Sequence, residues 1–138
     1  MQIDYEFRAT TDETSIEARV KKVLIDLLEV SEEEVKPNAR IIGDLGVDSL
    51  EYIEMVSSLE KRFGIKIPQE NLSPSYSGFL MNRSFFGALL EAEIESIAKS
   101  YPHLNINRLR INRTVNSLKD SFTVESIIKY IESKLVGD

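Results

Sequence analysis

A turn followed at once by a helical pattern constrains the fold of this chain more than any other feature. Two glycines within residues 43–46 mark the turn, and the pair Asp48-Ser49 follows it. Beyond that pair, apolar residues recur every three or four positions, which is the spacing of one helix face. They are Leu50, Ile53, Val56, Leu59 and Phe63. We therefore predict a helix that begins at Ser49 and ends before Gly64, a favourable C-terminal residue.

The start of this helix places a serine hydroxyl in a distinctive position. Asp48 or Ser49 is the predicted N-cap, and Glu51 stands in capping-box position three residues after Asp48. Backbone N–H groups without partners and the helix dipole favour an attached anion at such a start. An Asp-Ser pair that only caps a helix is the plainer interpretation of the tripeptide alone.

Two further helices are predicted from the same kind of pattern. The first extends from Ser15 to Glu29, and the last follows Thr123, a plausible N-cap. The apolar face of the first is Ile16, Val20, Val23, Leu24 and Leu27, and that of the last is Val124, Ile127, Ile128, Ile131 and Leu135. Each face is a single stripe, which is expected to be buried.

The order of these segments resembles that of the acyl carrier proteins. The matching segments are Ser15–Val20, Pro37–Ala39, Asp44–Leu50, Phe63–Pro68, and Phe122–Glu125 continuing to Tyr130-Ile131. The likeness covers residues 15–70 and resumes near residue 117. It implies an all-α, antiparallel four-helix bundle and a 4'-phosphopantetheine group, taken from coenzyme A and joined to the Ser49 hydroxyl. The chain has no cysteine, so a thioester carrier must obtain its thiol from that group.

The resemblance also implies roles for residues around Ser49. Asp48 and Leu50 flank it in the motif, and acidic residues are expected to recruit a phosphopantetheinyl transferase and acyl-transferring or synthase enzymes with basic docking faces. The acidic residues are Asp44, Glu51, Glu54 and Glu60. Candidate walls of a cleft for the acyl chain are Val56, Leu59, Ile65, Ile67, Ile127 and Ile131. A solvated acidic helix face and a plain apolar core are the simpler interpretations of these two sets.

One segment departs from the family pattern. Residues 71–116 are an insert within a single domain of residues 1–138, whose carrier core is 15–70 and 117–138, after an N-terminal extension of residues 1–14. The insert can lengthen the bundle, extend the acyl cleft or form a docking surface for a dedicated partner.

The insert contains a second apolar pattern and a basic passage. A helix is predicted from Ser84 to Ser100, ended by Pro102, with a basic passage at 105–116. The helix face is Phe86, Leu89, Leu90, Ile94 and Ile97. Residues suited to a docking surface are Phe79, Phe85, Phe86, Arg108, Arg110 and Arg113.

Composition excludes several classes of function. The net charge of −6 argues against general nucleic-acid binding, and no apolar segment approaches the length of a membrane span. Residues 1–14 lack the apolar region of a signal peptide, so a cytoplasmic protein is expected. A monomer is also expected. His103 is the only histidine, and no metal-ligand spacing or catalytic triad is present. An enzyme is therefore not expected.

The cargo leaves alternatives open. Peptidyl carriers usually have a Gly-Gly pair before the serine turn, whereas this chain has Gly46-Val47, which favours acyl cargo. The expected pathways are specialised lipid, polyketide or lipopolysaccharide-type synthesis, related to fatty acid biosynthesis. The alternatives are a peptidyl carrier and a carrier fold that is never loaded and docks to a protein complex.

Overall fold

The described residues of the structure, a computed structural model, are 15–76 and 88–136. The helices are α1 (Ile16–Leu28), α2 (Ser49–Phe63), α3 (Gln69–Leu72), α4 (Glu91–Ser100), α5 (Asn107–Ile111), α6 (Val115–Asp120) and α7 (Val124–Val136). Short 3-10 helices occupy Glu32–Glu34 and Pro74–Tyr76. Outside the helices, β-type pairing in the described part of the chain consists of two isolated antiparallel bridges. The predicted all-α class is confirmed, and the helices are compatible with a carrier-like bundle.

Helix α1 has the predicted ends and the predicted buried face. The Ser15 hydroxyl accepts a hydrogen bond from the backbone N–H of Ala18 at 3.0 Å, which satisfies one free donor of the first turn. Val20, Val23 and Leu24 are buried. This face packs against α2 and α7, which together form the centre of the fold.

Helix α2 begins and ends as predicted, but it buries a different stripe of its surface. Its buried residues are Tyr52, Met55, Val56, Leu59 and Phe63. Leu50 and Ile53 were expected on that face and are 66% and 45% exposed, so this part of the prediction is wrong. Two apolar stripes overlap on this helix, and the neighbouring elements cover the one that contains Tyr52 and Met55 rather than the one that contains Leu50 and Ile53.

The connection between α1 and α2 crosses the start of α7. The backbone N–H of Ile41 donates to the carbonyl of Phe122 at 2.9 Å, and the N–H of Val124 donates to the carbonyl of Ala39 at 3.0 Å. The side chains of Ile41 and Phe122 are fully buried beneath this pairing. The connection is therefore fixed before it reaches the turn that precedes α2.

Helix α7 has the predicted start and most of the predicted stripe. Val124, Ile127 and Ile131 are fully buried. Leu135, in the last turn of the helix, is 42% exposed, contrary to the prediction. Tyr130 is buried in addition to the predicted residues.

The helix of the insert begins later than predicted. Residues 84–87 lie outside the described residues, and 88–90 are not helical, because Ala88 forms an antiparallel bridge with Thr114. The N–H of Leu89 donates to the carbonyl of Arg113 at 2.8 Å. Leu90 is 69% exposed, and α4 starts at Glu91. The local apolar spacing therefore gave the wrong start, since backbone pairing with a distant segment keeps residues 88–90 extended.

The described part of the insert is packed into the common core. Its fully or nearly fully buried apolar residues are Leu72, Leu89, Ile94, Leu104, Leu109 and Val115. The Tyr101 hydroxyl donates a hydrogen bond to the carbonyl of Glu70 at 2.6 Å. The Nε2 atom of His103 is 2.6 Å from the carbonyl oxygen of Leu72. These contacts favour a lengthened bundle as the role of the insert. The extension 1–14 and the phenylalanines at 79, 85 and 86 lie outside the described residues.

Candidate functional site

The turn before α2 is closed by backbone hydrogen bonds to residues 40–42. The N–H groups of Asp44 and Leu45 both donate to the carbonyl of Arg40 at 3.0 Å. Gly46 has φ +65°, a left-handed conformation that L side chains rarely adopt. The N–H of Val47 donates to the carbonyl of Ile41, and Val47 is buried. The chain therefore reaches Asp48 in a fixed orientation.

Reciprocal hydrogen bonds define the start of α2. The Asp48 carboxylate accepts from the N–H of Glu51 at 2.8 Å, and the Glu51 carboxylate accepts from the N–H of Asp48 at 3.1 Å. This is the predicted capping box, with Asp48 as the N-cap. Ser49 is the first residue of the helix and is exposed. An anion attached to its hydroxyl would lie at the positive end of a 15-residue helix.

Arg40 holds the carboxylate of Asp44 within the turn that precedes α2. The Asp44 carboxylate accepts from the backbone N–H of Arg40 at 2.8 Å and from its guanidinium at 2.9 and 3.1 Å. These hydrogen bonds lower the pKa of Asp44 to about 2. The same guanidinium pairs with Asp120 of α6 at 3.2 Å. Asp44, which was predicted to take part in docking, therefore also stabilises the turn through its carboxylate.

The other acidic residues differ in what their carboxylates contact. Glu51 belongs to the capping box, and Glu60 accepts a hydrogen bond from the N–H of Ile67 at 2.7 Å. Glu54 is exposed on α2, as are Leu50 and Ile53. The described surface beside Ser49 therefore combines acidic side chains with two exposed apolar ones. The sequence predicted the acidic residues there but placed Leu50 and Ile53 in the core.

A cleft of about 330 Å³ opens beside Ser49. It lies between α2 and the segment that contains α3 and the following 3-10 helix. Its lining residues are Ser49, Tyr52, Ile53, Gln69, Glu70, Ser73 and Tyr76. A second depression, of about 370 Å³, shares Ile53, Gln69 and Glu70 with it and includes Val56 and Ile67. Among the predicted cleft residues, Leu59, Ile65, Ile127 and Ile131 line neither space, and all of these except Ile65 are buried in the core.

Two stacked tyrosines line the cleft beside Ser49. The rings of Tyr52 and Tyr76 are 4.0 Å apart between centroids and inclined by 17°. The Tyr52 hydroxyl donates to the carbonyl of Gln69, and the Tyr76 hydroxyl donates to the carbonyl of Val47 at 2.8 Å. Burial raises the pKa of both phenols. The sequence indicated only that Tyr52 is bulky for its position, because a tyrosine in the serine-rich stretch after α3 has no periodic signal.

Among the described residues there is neither a membrane-spanning helix nor a metal-binding cluster. In those ranges, none of the helices combines the length and the apolar character needed to cross a bilayer. The same part of the chain contains no cluster of three or more histidine or acidic side chains suited to hold a metal ion.

Comparison with known families agrees with the geometry of the turn. Residues 18–77 match the family model described as phosphopantetheine attachment site. The matched segment contains nearly all of α1, the closed turn, α2 with Ser49 at its start, and the residues that line the cleft. Residues 18–77 therefore correspond to a phosphopantetheine-attachment domain, the type of domain to which 4'-phosphopantetheine is attached, and the match is consistent with the acyl carrier protein family.

Proposed function

We propose that this protein carries acyl intermediates as thioesters on a 4'-phosphopantetheine arm attached to Ser49. The observation that carries the proposal is the exposed Ser49 hydroxyl at the Asp48-capped start of α2, within the matched domain. A transferase can reach this hydroxyl, and the phosphodiester formed there would lie where the helix dipole favours negative charge.

The residues around Ser49 suit such an arm. The prosthetic group supplies a terminal thiol for thioester formation, which the chain itself lacks because it has no cysteine. The capping box of Asp48 and Glu51 fixes the first turn of α2, so the attachment point has a defined direction. The cleft lined by Ser49 and Ile53 gives the arm and its cargo a surface to lie against.

The surface beside Ser49 also suits recognition by partner enzymes. Leu50 and Ile53 are exposed there, and Glu54 is exposed on the same helix. A phosphopantetheinyl transferase or an acyl-transferring enzyme with an apolar groove bordered by basic side chains would match this surface. Charge of this kind speeds the encounter of two proteins more than it tightens the complex. Bond-making is left to those enzymes.

The residues before Ser49 and the insert together indicate the cargo and the pathway. Gly46-Val47 before the serine turn favours acyl over peptidyl cargo. The packed insert distinguishes the protein from a general fatty-acid carrier, so we assign it to a specialised lipid, polyketide or lipopolysaccharide-type pathway, acting as a cytoplasmic monomer.

The proposal is tested by loading the protein from coenzyme A with a broad-specificity phosphopantetheinyl transferase and measuring its intact mass. We expect the wild-type chain to gain one phosphopantetheine and Ser49→Ala to gain none. Ser57→Ala is the matched control, because Ser57 is also exposed on α2 and its loss leaves the turn intact. No gain on wild-type protein, with a transferase that loads a reference carrier, would contradict the proposal and leave an unloaded docking module as the function.

A further inference from the structure

We propose that Tyr52 and Tyr76 restrict which acyl groups this carrier can shelter. This inference rests on the proposed attachment at Ser49. The cleft accepts short acyl groups, and the tyrosine pair keeps longer chains out of the bundle interior. The carrier therefore leaves the distal part of a long chain in solvent.

The position of the cleft supports this inference. It is the space lined by Ser49 itself, so an arm attached there reaches it first. Tyr52 and Tyr76 line this same space, and Tyr52 is only 2% exposed. A chain that entered from Ser49 would meet the two rings before it met the core.

Three contacts hold the tyrosine pair in place. The rings stack at 4.0 Å, the Tyr52 hydroxyl is bonded to the carbonyl of Gln69 in α3, and the Tyr76 hydroxyl is bonded to the carbonyl of Val47 in the turn. The pair thus joins the two sides of the cleft. Moving either ring aside would break a hydrogen bond and the stack together.

The tyrosine pair packs against the buried core. The ring of Phe122, which is fully buried, meets Tyr52 edge-on at 6.3 Å between centroids. Met55 and Leu72 are also fully buried. Because protein interiors are close-packed, an acyl chain cannot enter this region unless side chains are displaced.

The test uses protein loaded at Ser49 with butyryl, octanoyl or dodecanoyl phosphopantetheine from the corresponding coenzyme A thioesters. A chain sheltered by the folded state raises the Tm, and a longer sheltered chain raises it further. We expect wild-type protein to give the same Tm with the octanoyl and dodecanoyl groups. In Tyr76→Ala, which removes one ring of the pair, we expect the dodecanoyl form to melt at least about 3 °C above the octanoyl form.

Tyr76→Phe is the matched control, since it keeps the stacked ring and removes only the hydrogen bond to Val47; we expect its Tm to be lower overall but to be the same with the octanoyl and dodecanoyl groups, as in wild type. A dodecanoyl form of the wild type that melts clearly above its octanoyl form would overturn the inference. So would a Tyr76→Ala variant that folds and shows no dependence on chain length. If Tyr76→Ala does not fold, the octanoyl and dodecanoyl forms of the wild type decide, through their Tm values and through the rates at which hydroxylamine cleaves their thioesters. We expect the two cleavage rates to be equal.

Failure of this inference is distinguishable from failure of the proposed function. Intact mass reports first whether Ser49 is loaded. An unloaded wild-type protein would contradict the carrier function and this inference with it. A loaded protein whose stability rises with chain length beyond octanoyl would contradict only the role of the tyrosine pair.

Discussion

Arg40 surrounds the carboxylate of Asp44 with its own backbone N–H at 2.8 Å and two guanidinium nitrogens at 2.9 and 3.1 Å. The same guanidinium reaches Asp120 in α6. The turn that leads to Ser49 is thereby tied to the end of α6. The acidic residue predicted as a docking group is part of the frame that orients the proposed attachment site.

This pairing predicts how stability depends on pH. The pKa of Asp44 is lowered from 3.8 to about 2 in the folded protein, first by the side-chain hydrogen bond from Arg40 and then by the Arg40 N–H. Because the folded pKa lies below the unfolded one, the stabilisation is complete above pH 4 and is lost as the pH falls towards 2. Urea unfolding of Asp44→Asn at pH 7 should show a loss of about 1 kcal/mol or less, since the pair is partly exposed and screened.

Between pH 4 and pH 2 the difference between wild type and Asp44→Asn should shrink. Glu54→Gln is the control, because Glu54 is exposed on α2, and it should leave the free energy of unfolding within about 0.5 kcal/mol of wild type. A difference in the free energy of unfolding between wild type and Asp44→Asn that stays constant from pH 7 to pH 2 would contradict the role given to the Arg40–Asp44 pair.

A methyl group at Gly43 should disturb the same pair. A Cβ added there would lie 2.9 Å from the Cζ atom of Arg40, closer than such atoms approach in proteins. The guanidinium is the flexible end of a side chain, so it should shift and weaken its bonds to Asp44. We expect Gly43→Ala to cost about 0.5–1 kcal/mol in wild type and nearly nothing in an Arg40→Ala background, as measured by a double-mutant cycle. Equal costs in both backgrounds would show that the collision is not the cause.

Two residues of α5 test whether the insert belongs to the core. Leu109 is fully buried and Ile111 is 86% exposed, although both were simply apolar residues of a basic passage in the sequence. Leu109→Ala should lower the free energy of unfolding by about 2–4 kcal/mol, because it leaves a cavity. Ile111→Ala should change it by less than about 0.5 kcal/mol. Similar small effects for both variants in urea titrations would mean that the insert contributes little to the fold.

Two glutamates of α2 should separate docking from stability. Glu54 is exposed, whereas the carboxylate of Glu60 accepts a hydrogen bond from the N–H of Ile67. Glu54→Gln should lower kcat/KM for phosphopantetheinyl transfer about 2–5-fold at low salt, and the effect should fade as ionic strength rises. Glu60→Gln should instead cost about 1 kcal/mol of stability. A transfer rate for Glu54→Gln equal to wild type at low salt would remove Glu54 from the docking surface.

The sequence predicted the parts of this fold that depend on neighbouring residues. Helix caps such as Ser15 and Asp48 act within three or four residues, and the stripes of α1 and α7 are regular, so α1 and α2 were found with both ends and α7 with its start. The serine at the start of α2 was found for the same reason. Local chemistry sufficed there because the signal and the structure lie in the same short segment.

Tertiary contacts decided what the sequence could not. Tyr52 rather than Ile53 faces inward on α2 because Tyr76, 24 positions later in the chain, stacks on it. Leu89 is extended rather than helical because it pairs with the backbone of Arg113. Spacing within one segment carries no information about either partner, so the sequence did not predict the tyrosine pair that lines the cleft beside Ser49.

The central claim is that phosphopantetheine is attached to Ser49, and fragmentation of one tryptic peptide tests it most directly. Cleavage after Arg40 and Lys61 releases a peptide that contains Ser49, Ser57 and Ser58. After loading from coenzyme A, we predict that fragment masses place one phosphopantetheine on Ser49 alone. The group on Ser57 or Ser58, or a peptide left unmodified by an active transferase, would contradict the account.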